Sequence, residues 1–359
     1  MSLGKLTVNG RQDGFLCEGK PFFWFADTCW SAFTSIAEND WDYYLTRRAE
    51  QGMNVLQINT LPQWDRCCPD LGIWPYASED GVHFDWSRPN QAYWDRAAAM
   101  CRAAVEHGIR PALVLMWCNY VPGTWGAKIA ERCGAEVMPR EEVRAHVARV
   151  VENLGEFDPV YVVTGDTDFA GDEAIAYYED ALDEVVKRAP DALRTMHINR
   201  GNRNIPAQYL DRLDFYMFQP GHNYEGQPEA WRLPQDFIAN YPKKPMVNSE
   251  PCYEQMGASR NVYWRFTAQD CRASVWSSIL AGASAGVTYG AHGVWNWQTS
   301  RSQGSVLGEG FDMPFRWQEC LQFAGVWDFG AIEHVLAGLG ATACDDALAV
   351  VPAQELLDD

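Results

Sequence analysis

Two short apolar runs in this 359-residue chain end in carboxylates: Val162-Val163-Thr164-Gly165-Asp166 and Pro245-Met246-Val247-Asn248-Ser249-Glu250. Paired carboxyl groups are what cutting a glycosidic bond requires. One protonates the leaving oxygen, and the other attacks the sugar or activates a water. Separations of about 5–5.5 Å accompany retention of configuration, and about 6.5–9.5 Å accompany inversion. Each residue also has a structural alternative. Asp166, after Gly165, suits a turn carboxylate accepting backbone N–H groups at a helix start, in which case Asp168 is the next candidate acid. Glu250 suits a surface salt bridge, although the apolar run leading into Asn-Ser-Glu-Pro argues for a less solvated position.

Other short runs end in polar and aromatic residues too. Asp27 and Trp30 follow the first, Asn59 and Gln63 the second, Trp117 and Asn119 the third, and Asp166 and Asp168 the fourth. Later runs add Asn199, then His222 and Tyr224, then Tyr253 beside Glu250, and finally His292, Trp295 and Trp297. Sugars present apolar ring faces and hydroxyl rims, so their sites combine aromatic platforms with a few orienting polar groups. Trp30, Trp117 and Trp295 fall where platforms would stand, among 16 tryptophans in all. Packing in the core is the competing role for any one of them. Asp27 reads as a substrate-hydroxyl or supporting group, and Asn59, Asn119, Asp168 and Tyr253 as further contacts. His222 and His292 are either sugar-contacting or satisfied structural histidines.

Elements that would bring these residues together are legible as an alternation. Apolar runs at 22–27, 55–59, 112–117, 160–164, 195–198, 215–219, 245–248 and 286–289 predict eight strands. Stretches at 41–51, 93–107, 140–154, 174–188 and 268–283 show the three-and-four spacing of amphipathic helices. Gly52 and Gly108 stand where left-handed C-terminal caps belong. Strand–helix alternation of this kind predicts a parallel sheet, and eight strands favour a closed (β/α)8 TIM barrel, whose site lies at the strand C-termini. An open doubly wound sheet is the alternative, but no G-x-G-x-x-G follows the first strand. We expect one domain over 1–359, with an N-terminal β segment at about 5–20 and a C-terminal extension at about 313–359. That extension should hold one or two helices and a short strand at 347–351. The segment 67–89, rich in Asp, Pro, Trp and Gly, reads as a long functional loop.

Composition bounds the partners. A formal net charge of −19, spread along the chain, describes a solvated acidic surface and argues against nucleic acid, which demands clustered Lys and Arg. No apolar stretch reaches the roughly 18 residues of a membrane span, and Met1-Ser2-Leu3-Gly4 lacks the regions of a signal peptide. Eleven scattered cysteines without C-x-x-C spacing suit a reducing, cytoplasmic setting. Seven histidines form no H-E-x-x-H pair, so no dedicated metal site is expected, and without a G-x-G-x-x-G no dinucleotide cofactor is expected either. Homo-oligomerisation is left open.

The run Gly19-Lys20-Pro21-Phe22-Phe23-Trp24-Phe25-Ala26-Asp27-Thr28-Cys29-Trp30, with Tyr44-Leu45 and Gln51-Gly52-Met53-Asn54-Val55-Leu56-Gln57, resembles the start of apiosidase-like glycoside hydrolases. Further matches are Thr164-Gly165-Asp166, the stretch from Lys244-Pro245 to Glu250 with Tyr253-Glu254, and the stretch from Ala281 to Trp295. The resemblance covers about 18–330. It implies a barrel related to the large retaining glycosidase clan, with Asp166 as acid/base and Glu250 as nucleophile, and Tyr253 placed to orient it. Thr164 stands where the family often has a second glycine. Many relatives carry a C-terminal β-sandwich and are exported. The implied substrate is an oligosaccharide or glycoside, either apiose-containing plant polysaccharide or a small imported molecule.

Fold alone does not fix function. A non-catalytic sugar-binding barrel is one alternative, and a sugar lyase or isomerase is another. The latter commonly needs a metal or a lysine base, and Lys243 and Lys244 precede a strand rather than follow one.

Overall fold

In the computed structural model, which describes residues 3–259, 262–300 and 313–338, eight strands lie parallel around a common core. They are β1 (Trp24–Thr28), β2 (Val55–Asn59), β3 (Arg110–Trp117), β4 (Val160–Gly165), β5 (Arg194–Thr195), β6 (Tyr216–Phe218), β7 (Met246–Asn248) and β8 (Gly286–Tyr289). Pairing runs β5-β4-β3-β2-β1-β8-β7-β6, the circular order of a (β/α)8 barrel. Every residue of β3 is buried, as expected of a parallel strand covered on both faces.

Between β5 and β6 the ladder gives way to individual bonds. Asp214 N–H donates to the Arg194 carbonyl (2.9 Å), Thr195 Oγ1 to the Phe215 carbonyl (2.7 Å), and Gly201 N–H to the Gln219 carbonyl (3.0 Å). The Gln219 side chain adds a bond to the Ile198 carbonyl (3.0 Å).

Around the strands run α1 (Glu38–Glu50), α2 (Gln91–Glu106), α3 (Arg140–Leu154), α4 (Asp172–Arg188), α5 (Ala207–Leu210), α6 (Glu229–Asn240), α7 (Ala268–Leu280) and α8 (Gly325–Gly330). On α3 the buried residues Val143, Val147, Val150 and Leu154 recur at three and four, which lays one apolar stripe on the sheet. Thr267 and Asp270 form a capping box at the start of α7. After α1 and α2, Gly52 and Gly108 adopt φ of +88° and +81°, the left-handed caps expected there. No helix among the described residues is long and apolar enough to cross a membrane.

Four local differences from the sequence reading have physical causes. Residues 22–27 divide between the strand Lys20–Phe22, part of a small antiparallel sheet, and β1. That sheet packs under the barrel, where Phe15 meets Phe215 edge-on at 5.0 Å. Helix α6 was not expected because Pro234 lies inside it, where proline removes an N–H and disfavours a helix. Within 67–89, the strands Tyr76–Ala77 and Asp85–Pro89 pair antiparallel, so the segment is not wholly loop. The C-terminal region holds three short helices, Trp317–Cys320, α8 and Ile332–Gly338, while the strand expected at 347–351 lies outside the described residues.

Candidate active site

Where β4 ends, the chain leaves regular pairing. Val162 pairs with Thr195, and the next contact is a bridge between Thr167 and Ile198. Five steps along β4 therefore match three along β5, and the surplus forms a bulge. Asp166 sits in it at φ +55°, a left-handed conformation that aspartate tolerates better than most residues and that often marks functional sites. Gly165 has no latitude here, because a Cβ would come within 2.1 Å of the Trp117 ring.

Asp166 is fixed from several sides. Its N–H donates to His197 Nδ1 (3.2 Å), its carbonyl accepts from Trp125 Nε1 (2.7 Å), and its Oδ1 accepts from Gln219 Nε2.

Glu250 follows β7 and is buried. His222 Nε2 lies 2.8 Å from its Oε1, and His197 Nε2 lies 3.1 Å from its Oε2, the latter out of line for a well-formed hydrogen bond. Both ring tautomers follow from backbone contacts. His222 Nδ1 accepts the Tyr253 N–H (3.3 Å) and His197 Nδ1 accepts the Asp166 N–H, so each neutral ring carries its proton on Nε2, facing Glu250. Burial pushes the Glu250 carboxyl up, but the two imidazoles outweigh it and hold it well below the usual glutamate range. One histidine thus connects the backbone of Asp166 to the carboxylate of Glu250.

Aromatic rings close around the pair. Trp30 lies 5.1 Å from Trp117 and 5.6 Å from His197, centroid to centroid, and its Nε1 donates to the Tyr253 hydroxyl (3.0 Å). Burial, then the Glu250 charge, pushes the Tyr253 phenol well up, so it stays protonated. Gly290 admits this ring, since a Cβ there would stand 1.9 Å from it.

Trp30, Trp117, Asp166, His222, Glu250, Tyr253 and Trp295 share one cavity of about 540 Å³ at the strand C-termini. Five other expected contacts stand outside its lining. Asp27 is buried against Arg48 Nε (2.6 Å) and the Tyr44 hydroxyl (2.7 Å), a structural ion pair rather than a group facing sugar. Asn59 donates to Gln63, so Gln63 reaches the cavity instead. Asn119 is buried in a short turn after β3, and Asp168 lies beyond the bulge. His292 accepts from Trp295 Nε1 (3.2 Å) and supports that ring from behind.

Sequence reasoning missed His197, which it placed inside a strand spanning 195–198; β5 stops at Thr195, so His197 belongs to the mouth. It also missed Trp64, Asp65, Trp125, Arg200, Gln219, Asn223 and Met256 in the lining. These lie in loops without periodicity, and only Gln219, at the end of an expected strand, carried a positional signal. Among the described residues, no group of three or more His, Cys, Asp or Glu side chains is placed to hold a metal ion.

A parallel barrel with two carboxylates among aromatic rings at its C-terminal mouth is an arrangement suited to glycoside hydrolysis. The family model "Apiosidase-like, catalytic domain" matches residues 12–342, and the chain belongs to that family. Among solved structures it is similar to one described as a glycoside hydrolase, with 22% identity, TM-score 0.74, and coverage of 93% of this chain and 75% of that one. A glycoside hydrolase family 5 protein from Bacteroides vulgatus gives 22% identity and TM-score 0.75 over 93% and 71% of the two chains. A family 5 mannosidase from Rhizomucor miehei gives 13% identity and TM-score 0.60 over 92% and 97%. At these identities the structural likeness speaks for the fold. No curated protein matches the chain.

Proposed function

We propose that the protein hydrolyses an O-glycosidic bond with retention of configuration, with Glu250 as nucleophile and Asp166 as acid/base. The observation that carries this reading is the double imidazole clamp. A nucleophilic carboxylate must be ionised and correctly aimed, and two Nε2–H groups facing Glu250 serve both needs.

In the first step a Glu250 oxygen attacks the anomeric carbon while Asp166 gives its proton to the departing oxygen. A glycosyl ester and a free alcohol result. In the second step Asp166, now a carboxylate, takes a proton from water, and the water oxygen displaces Glu250. As charge leaves Glu250 in the first step and returns in the second, the His222 Nε2–H donor and the adjacent His197 ring stay in place. The rings of Trp30, Trp117 and Trp295 supply apolar surface for the sugar, and the Tyr253 hydroxyl and Arg200 supply polar contacts.

The substrate class is an oligosaccharide or glycoside. Nine free cysteines among the described residues support a reducing, cytoplasmic setting.

The test is Glu250→Gln assayed against a panel of 4-nitrophenyl glycosides. Turnover is expected to fall by at least about four orders of magnitude, the scale seen when an acting nucleophile is removed. Unchanged turnover would remove Glu250 from the mechanism.

A further inference from the structure

We propose that Tyr224 and Trp264 form a second carbohydrate-binding position at the rim of the cavity, holding a sugar residue beyond the one being cut. The occupant's chemical class rests on the glycosidase reading above.

Most large aromatic side chains in the described residues are buried, yet Tyr224 is 57% exposed and packs edge-on against Trp264 with ring centroids 5.6 Å apart. Trp264 is only partly buried, and Phe266 supports it from behind at 5.4 Å. Two aromatic rings in contact, one of them open to solvent, offer the kind of apolar surface on which a sugar ring stacks.

The pair adjoins the lining of the candidate site along the chain. Asn223 lines that cavity and Tyr224 is the next residue. Met256 also lines it and leads into the strand Gly257–Ser259, whose partner Val262–Arg265 carries Trp264. Both rings therefore stand on the loops after β6 and β7, which also carry His222 and Glu250. A glycan seated in the cavity and extending past Asn223 would meet them next.

The position is braced. Gln227 Nε2 donates to the carbonyls of Gly221 (3.1 Å) and Asn223 (3.0 Å), closing the turn that bears Tyr224. Arg265 Nη1 donates to the Gln255 carbonyl (2.6 Å), and Phe266 N–H donates to the Met256 carbonyl (2.9 Å). Rings held in this way lose little freedom when a sugar stacks on them. Tyr263 is fully exposed on the same strand, but alternation turns it to the opposite face from Trp264. It provides a matched control.

The experiment is affinity electrophoresis of the Glu250→Gln chain through gels containing pectin, xyloglucan, arabinoxylan or galactomannan. We expect at least one glycan to retard it. Adding Tyr224→Ala and Trp264→Ala should weaken that retardation roughly tenfold, the effect of losing about 1.4 kcal/mol of stacking. Adding Tyr263→Ala should leave it unchanged. On an otherwise intact chain, the Tyr224 and Trp264 changes should not alter hydrolysis of 4-nitrophenyl glycosides, which fill only the inner cavity. The proposal is overturned if no glycan retards the chain, if retardation survives the double change, or if Tyr263→Ala weakens it equally. A chain that binds glycan through Tyr224 and Trp264 but cuts nothing would instead sink the hydrolase reading alone.

Discussion

Replacing His222 with phenylalanine tests the clamp on Glu250 most directly. A ring still fills the place packed against Tyr253, at 4.1 Å between centroids, while the Nε2–H donor 2.8 Å from Glu250 Oε1 is lost together with the Nδ1 acceptor of the Tyr253 N–H. A hydrogen bond to a charged group contributes about 1.5–3 kcal/mol, and about 1.4 kcal/mol moves a pKa by one unit, so the Glu250 pKa should rise by roughly 1–2 units. The nucleophile works only when ionised. In the native chain its pKa lies below the ordinary value, so activity on an activated aryl glycoside should persist as pH falls well into the acid range. In His222→Phe the acidic limb of kcat/KM should move to higher pH by that amount. Stability follows the same sign. The lowered carboxyl stabilises the native state above the unfolded glutamate value, about 4.3, and this contribution fades as pH drops through the folded value. The variant should retain less of it. His197→Phe should also lower the rate at every pH, because that ring holds the Asp166 N–H. An acidic limb that stays in place in His222→Phe, whatever the drop in rate, would refute the electrostatic role assigned to the clamp.

Asp166→Asn should slow glycosides with poor leaving groups at least about a hundredfold more than activated aryl glycosides, because only the former need the proton. Equal losses in steady-state rates would transfer the role elsewhere. Gly165→Ala forces a methyl group into Trp117 and should cost about 1–3 kcal/mol in urea unfolding, with a matching disturbance of KM. Arg48→Met leaves the Asp27 carboxylate buried without its cation and should destabilise the fold by about 3–5 kcal/mol by denaturant titration. Folded Arg48→Met enzyme should keep its KM, since neither residue lines the cavity.

The barrel was legible because its strongest signals are local. Fully buried strands such as β3 and β4 read as mainly apolar runs, and α3 and α4 as clean stripes. Sequence position also brought Asp166, Glu250, His222 and four aromatic residues to one mouth. What stayed hidden depends on pairing between distant residues. His197 gains its place only because β5 ends early, opposite the bulge at Asp166. Asp27, adjacent in register to the β8 residue Tyr289, turns toward the helical shell, where Arg48 reaches it from α1, a contact no local pattern encodes. Proline inside α6 shows the converse, a local signal overridden by packing of Leu233 and Phe237.

The gap in the ladder between β5 and β6 bears on how activity is lost on warming. Two of the four bonds described across it come from side chains, those of Thr195 and Gln219, so this stretch lacks the regular backbone cooperativity of the rest of the barrel. It is the place where slow amide exchange is expected to be lost first, ahead of global melting. His197 follows one side of the gap and touches both Asp166 and Glu250, and Gln219 follows the other and holds Asp166. A small fraying there would scatter Asp166 and Glu250 while the other strands stayed closed, so heat inactivation should precede the main unfolding transition in calorimetry and reverse on cooling.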